Sequence, residues 1–188
     1  TLNQRVIRLN QVELNKNYAL VITTNSGLWR YLIGDTIRFT SLSPYRIKVT
    51  GRTKHHINVF GEELMVENTD AAIAKTCALF DCEIVDYTVA PVFMSETQKG
   101  SHEWIIEFKN PPEDVEKFSM ILDENIQSLN SDYEAKRYNN MTLNPLVLNV
   151  ARKNLFYDWL KQNDKLGGQH KIPRLSNDRN YLESLLNL

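Results

Sequence analysis

Three short segments of this 188-residue chain carry side chains that could hold or polarise a phosphorylated ligand, and each has a plainer alternative. The first is Trp29-Arg30-Tyr31-Leu32-Ile33-Gly34-Asp35. A carboxylate that follows a glycine at a strand end can accept hydrogen bonds from two vicinal hydroxyls, as a ribose offers, while the glycine lets the backbone come close. A simple Gly-Asp turn is the alternative. Trp29 and Tyr31 either approach such a ligand or pack as the core of a hairpin. The second segment is Gly51-Arg52-Thr53-Lys54, followed by His55-His56 and then Gly61-Glu62-Glu63. An arginine fixed at a strand end adds a donor fork to the same ribose or to a phosphate; a solvated surface arginine is the alternative. Adjacent histidines on a strand point to opposite faces, so one metal ion cannot easily use both, and they are read as structural. The third segment is Gly167-Gly168-Gln169-His170-Lys171-Ile172-Pro173-Arg174. A lysine on a glycine-hinged loop can be delivered to a site and neutralise charge developing on a phosphate or carboxylate, where the alternative is a solvated loop lysine. Neither a Walker nor a Rossmann glycine pattern occurs.

The elements that must position these residues change character along the chain. Tyr18–Thr24 is β-branched and apolar; after the turn signal Asn25-Ser26-Gly27 a second strand resumes and is broken at Gly34-Asp35. TIRFT and YRIKVT follow as further strands around Ser43-Pro44. Beyond the polar junction GRTKHH comes a strand-like INVF, then a helix with Val66, Ile73, Cys77 and Phe80 on one face. A hairpin of EIVDYTVAPVFM and HEWIIEFK follows, with SETQKGS as its tip. Pro111-Pro112 opens a helix with Glu113, Asp114 and Glu116 in its first turn and Phe118, Leu122, Ile126 and Leu129 on one face. After the polar stretch SDYEAKRYNN come the apolar segment LVLNV, a helix over Arg152–Gln162, a glycine- and proline-punctuated loop and a last amphipathic helix from about Asp178. The order predicts an α+β fold: a small C-terminal domain with helices packed on a mixed or antiparallel sheet, preceded by the β-rich end of a larger domain. The boundaries are 1–51 for the β-rich end, 52–54 for a hinge and 55–188 for the small mobile domain.

Composition excludes several classes. Lys+Arg number 22 against 23 Asp+Glu, so neither a nucleic-acid-binding basic field nor an acidic tail is present. The spacing of Cys77 and Cys82 fits neither a zinc site nor a disulfide framework, which makes a reducing cytoplasm the expected setting. No apolar run reaches the ~20 residues needed to span a bilayer. No nucleic-acid or membrane partner is expected.

Taken in order, YALVITTNSGLWRYLIGDTIRF, VTGRTKHHINVFGEELMVENTDAAI and GGQHKIPRLSNDR resemble the C-terminal part of the adenylate-forming superfamily, and most closely the bacterial branch of the auxin-responsive acyl-acid amido synthetases. The resemblance implies an ATP-dependent ligase using Mg2+, which adenylates a small carboxylic acid and then transfers the acyl group to an amino acid amine. It implies that Asp35 binds the ribose hydroxyls, that Arg52 assists there, that Lys54 is the hinge and that Lys171 contacts the reacting carboxylate and α-phosphate. It further implies a missing partner, the larger N-terminal domain holding the phosphate loop and acyl pocket, so that the chain alone is expected to be inactive. The superfamily's Glu-Ile-Glu run is replaced by GEELMVENTD, and Glu62, Glu63 and Glu67 are read as acids at a helix N-terminus. Two other readings remain: a ligase of the same superfamily that uses coenzyme A as acceptor, and a non-catalytic α+β ligand-binding module in which the three segments are unrelated.

Overall fold

The computed structural model describes residues 6–52, 56–167 and 170–188, and the chain divides into two compact units, 1–54 and 55–188. In the first, β1 (Asn17–Ile22), β2 (Tyr31–Leu42) and β3 (Tyr45–Arg52) form an antiparallel sheet in that order. Ile37 and Phe39 of β2 are its buried centre, with the rings of Tyr18 and Tyr45 each set edge-on to Phe39 at 6.0 Å. The expected break at Gly34-Asp35 is absent. Gly34 takes a φ of +93° inside β2, and register shifts fall close by in both pairings, so its left-handed backbone is absorbed as bulged strand rather than as a turn. Trp29 and Tyr31 are 80% and 51% exposed, against their reading as hairpin core.

The second unit opens on a minimal antiparallel pair, β4 (His56–Ile57) with β5 (Leu64–Met65), shorter than the expected INVF strand. Helix α1 (Val66–Phe80) leads into β6 (Glu83–Val92) and β7 (Ser101–Asn110), an antiparallel hairpin. Then come α2 (Val115–Leu129), α3 (Ser131–Arg137) and β8 (Val147–Val150), which joins β7 in parallel, and finally α4 (Leu155–Gln162) and α5 (Asn180–Leu186). The sheet is therefore mixed, in the order β6-β7-β8. Its alternation of side chains divides the core. Tyr87, Val89, Trp104 and Ile106 face α1 and α2, meeting Ala72, Ile73, Phe118, Leu122 and Ile126. Ala90 and Ile105 face the other way and meet Phe156 and Trp159 of α4 with Leu182 and Leu185 of α5. Helices thus cover both faces. Among the described residues, no helix is long and apolar enough to cross a membrane.

The stretch SDYEAKRYNN contains a helix that hydropathy conceals. Asn130 caps α3 by accepting the Tyr133 N–H at 2.8 Å, and Tyr133 and Arg137, one turn apart, point inward onto Asp123 of α2. The Asp123 carboxylate accepts the Tyr133 hydroxyl at 2.6 Å and Arg137 Nε and Nη2 at 3.0 and 2.7 Å. The buried face of α3 is polar, so no apolar stripe announces it. Asp123→Ala strands a buried guanidinium, and a loss of about 3–5 kcal/mol is expected from chemical denaturation; a loss under ~1 kcal/mol would show that α3 is held by packing alone.

Candidate functional site

Backbone register brings the first two candidate residues together. Asp35 on β2 lies directly opposite Arg52, the last residue of β3, with Gly34 beside it in its positive-φ conformation. Asp35 is half-buried. Neighbours directly across an antiparallel pair sit ~5 Å apart, so the backbone of the two candidates comes to one place in the sheet. Among the described residues no group of three or more His, Cys, Asp or Glu could hold a metal ion. Lys54, the expected hinge, lies outside the described residues, as does His55.

Lys171 belongs to the second unit, and the chain on both sides of it is tied down. Downstream, Ile172 is buried in the core under α4 and α5, while Leu175 is buried in the opposite core under α1 and α2. Between them the segment rounds the free edge of β6. Val89 donates its N–H to the Arg174 carbonyl at 2.8 Å and accepts the Ser176 N–H at 3.1 Å, forming a parallel bridge with Leu175. The Thr88 hydroxyl donates to the Pro173 carbonyl at 2.7 Å. Upstream, the Lys165 N–H bonds the Leu160 carbonyl at 2.8 Å and its ammonium sits over the rings of Trp159 and Tyr181, at 4.8 and 5.8 Å. Gly167 follows with φ +87° and open space around its missing side chain, so conformation rather than crowding calls for glycine there. Lys171 itself is exposed.

Side chains that the sequence pattern does not single out surround this strap. Arg174 Nη1 donates to both oxygens of Asp70 on α1, at 2.8 and 2.6 Å, and its guanidinium lies 5.2 Å from the centre of the Tyr87 ring. The Tyr87 hydroxyl donates to Asp70 at 2.6 Å, and burial together with that bond pushes its pKa upward. Asp86, 4.0 Å from Arg174 Nε, is raised by burial, against which the Tyr87 N–H, Arg174 and Lys171 all pull. A cavity of about 330 Å³ opens between α1 and β6, lined by Asp70, Ile73, Cys77, Ile84, Tyr87 and Arg174 among others. Burial and the neighbouring Cys82 push the Cys77 thiol up to about 12, so it is no nucleophile at neutral pH. Arg174 closes the third sequence segment, but only the fold shows what it grips.

Glu62 departs from its expected place. Only Glu67 lies in the first turn of α1; Glu63 precedes β5 at φ +40°, and Glu62 is fully buried. Its Oε1 lies 2.8 Å from His102 Nε2 and its Oε2 accepts the Phe60 N–H at 2.7 Å. A positive φ at Gly61 turns the chain so that the carboxylate reaches β7. His102 stacks on Tyr133 at 5.3 Å, and its Nδ1 has no partner among the described residues.

Family comparison places both halves of the chain. The model of the GH3 family C-terminal domain matches residues 67–180, and that of the GH3 family central domain matches residues 1–52. The chain belongs to the GH3 family. Indole-3-acetic acid-amido synthetase GH3.3 of Arabidopsis thaliana is 26% identical over 189 residues, covering 93% of this GH3 chain and 31% of the relative. Jasmonoyl-L-amino acid synthetase GH3.5 of Oryza sativa subsp. japonica is 25% identical over 183 residues, covering 93% and 31%. A solved GH3.15 acyl acid amido synthetase superposes with a TM-score of 0.75 at 22% identity, over 96% of this chain and 34% of that one, which shows a shared fold. The chain thus spans about a third of the length of the GH3 relatives it matches. The C-terminal match includes Asp70, Asp86, Lys171 and Arg174; the central match includes Asp35 and Arg52.

The buried pair sets an acid limit on this unit. Burial pushes the Glu62 carboxyl up, yet the bonds from His102 and Phe60 outweigh it and hold it below its ordinary 4.5. A depressed folded value means stability that is complete above about pH 4.5 and lost as pH falls through the lowered value. Glu62→Gln keeps an oxygen for the Phe60 N–H but removes the charged oxygen that faces His102, and a cost of about 1–3 kcal/mol at pH 7 is expected. Melting temperatures against pH should show a flatter acid limb for the variant; parallel curves would remove Glu62 from the acid transition.

Proposed function

We propose that this chain is the C-terminal portion of an ATP-dependent acyl-acid amido synthetase. The acid attacks the α-phosphate of ATP, with Mg2+, releasing pyrophosphate, and an amino acid amine then attacks the acyl-adenylate to form an amide. The observation that carries the reading is the setting of Lys171: an exposed lysine between a glycine turn and a strand pinned to β6, in a chain whose GH3 relatives are amido synthetases by name. Two anions, carboxylate and triphosphate, repel, so a cation delivered as charge concentrates in the transition state lowers the barrier most. Asp35 and Arg52 take the ribose. In this reading residues 1–51 end the large adenylation domain, 52–54 with Lys54 form the hinge, and 55–188 rotate to bring Lys171 in and then withdraw it. The free thiols Cys77 and Cys82 suit a reducing, cytoplasmic setting. Assignment to the bacterial branch of the family rests on the three sequence stretches. The chain by itself is inactive in this reading, because the phosphate loop and acyl pocket belong to the domain preceding it.

Carboxylate-dependent ATP/pyrophosphate exchange by the full-length parent tests the reading over a panel of acids. Lys171→Ala is expected to slow exchange ~100-fold or more in a folded protein, and unchanged exchange would dismiss Lys171 from the reaction. Asp35→Ala removes a charged hydrogen-bond acceptor, and the KM for ATP should rise ~10-fold or more. A KM left at the parental value would take Asp35 out of the nucleotide site. Trapping of the activated acid by amino acids and not by coenzyme A separates amide from thioester formation.

A further inference from the structure

A lysine can neutralise charge at one place only if the chain that carries it is held to within about half an ångström. Upstream of Lys171, Lys165 is tied to α4 and Gly167 takes a φ of +87°. On the downstream side the strap has three kinds of attachment: apolar anchors at Ile172 and Leu175, backbone bonds to Val89, and the side chain of Arg174. The apolar anchors bury the strap in the two cores, and the backbone bonds pair it with β6. Arg174 adds directional bonds to a helix, because its Nη1 donates to both oxygens of Asp70 while its guanidinium carbon lies 5.2 Å from the centre of the Tyr87 ring. Tyr87 is fully buried, stacks on Trp104 at 5.5 Å and fixes Asp70 through its hydroxyl, so the acceptor is itself held rigidly. Arg174 cannot swing away without losing both the Asp70 bonds and the contact with the Tyr87 ring.

We infer that Arg174 is a positioning residue for Lys171, locking the Ile172–Ser176 strap to α1 through Asp70 and Tyr87 so that the lysine three residues upstream has a fixed origin. The inference rests on the proposed role of Lys171 in adenylation. Arg174 acts through Lys171 and touches no substrate. Its removal therefore slows the step that needs the lysine and leaves untouched the step that does not.

The test is a double-mutant cycle in the full-length parent, read by carboxylate-dependent pyrophosphate exchange and, separately, by amide formation from preformed acyl-adenylate. Arg174→Ala should slow exchange ~10-fold, with the KM for ATP and the rate from preformed adenylate at parental values. Arg174→Ala combined with Lys171→Ala should be no slower than Lys171→Ala alone, because a positioning residue has nothing left to position. Asp70→Asn attacks the lock from the α1 side while its remaining oxygen still accepts from Tyr87, and should slow exchange in the same direction; it serves where Arg174→Ala does not fold. Effects that multiply in the double variant, an equal loss in both steps, or parental exchange in both lock variants while Lys171→Ala is slow would each overturn the inference and leave the role of Lys171 standing. Parental exchange in Lys171→Ala would overturn the functional reading and the inference with it.

Discussion

Val89 sits on an edge strand, and an edge strand presents backbone groups that must be bonded somewhere. Here they are bonded by the strap that follows Lys171: Val89 gives its N–H to Arg174 and takes that of Ser176, while Ile172 and Leu175 fall into opposite cores. The polar edge of β6 is thereby closed and the two hydrophobic layers are stitched together. Lys171 is left at the margin of an otherwise fastened segment. Without this edge pairing the lysine would ride on a free loop, and the helices on either side of the sheet would share one connection fewer.

Much of the second unit is held by polar groups in complementary sets, two of them buried and one half-exposed, rather than by apolar packing alone. Asp123 with Tyr133 and Arg137 joins α2 to α3, Glu62 with His102 joins the β4–β5 turn to β7, and Asp70 with Tyr87 and Arg174 joins α1 to β6 and the strap. Such sets add little net stability when complete and cost a great deal when broken. Their value lies in register. Apolar contacts are non-directional, whereas a carboxylate that must meet a guanidinium and a phenol also fixes distance and angle. The His102 ring, stacked on Tyr133, links two of these sets across the first core.

The first unit achieves its arrangement differently. A single antiparallel register sets Asp35 opposite Arg52, and the strand carrying Asp35 runs through Gly34 without interruption. A carboxylate on a continuous strand is better fixed than one on a turn, since its neighbours along both edges restrain the backbone. The positive φ of Gly34 still matters, as a kink within the strand rather than as its end.

Periodicity alone locates α1, α2, α4, α5 and the β6–β7 hairpin, because each buries an apolar face whose spacing is written in the chain. The order of three segments, through the family resemblance it carries, makes Asp35, Arg52 and Lys171 the candidate site residues. It cannot find α3, whose inward residues are tyrosine and arginine, nor the continuity of β2, since glycine reads as a break until a bulge absorbs it. Nor can it find the partners of the strap behind Lys171. Asp70, Asp86, Tyr87 and Arg174 lie up to 104 residues apart, and nothing local relates them. Glu62 shows the division most clearly: three carboxylates in GEELMVE look alike in sequence, and only the fold buries one against a histidine 40 residues away. Local chemistry decides which elements form and which residue types are at hand, whereas pairing between distant charges is decided by the packing that brings them within hydrogen-bond range.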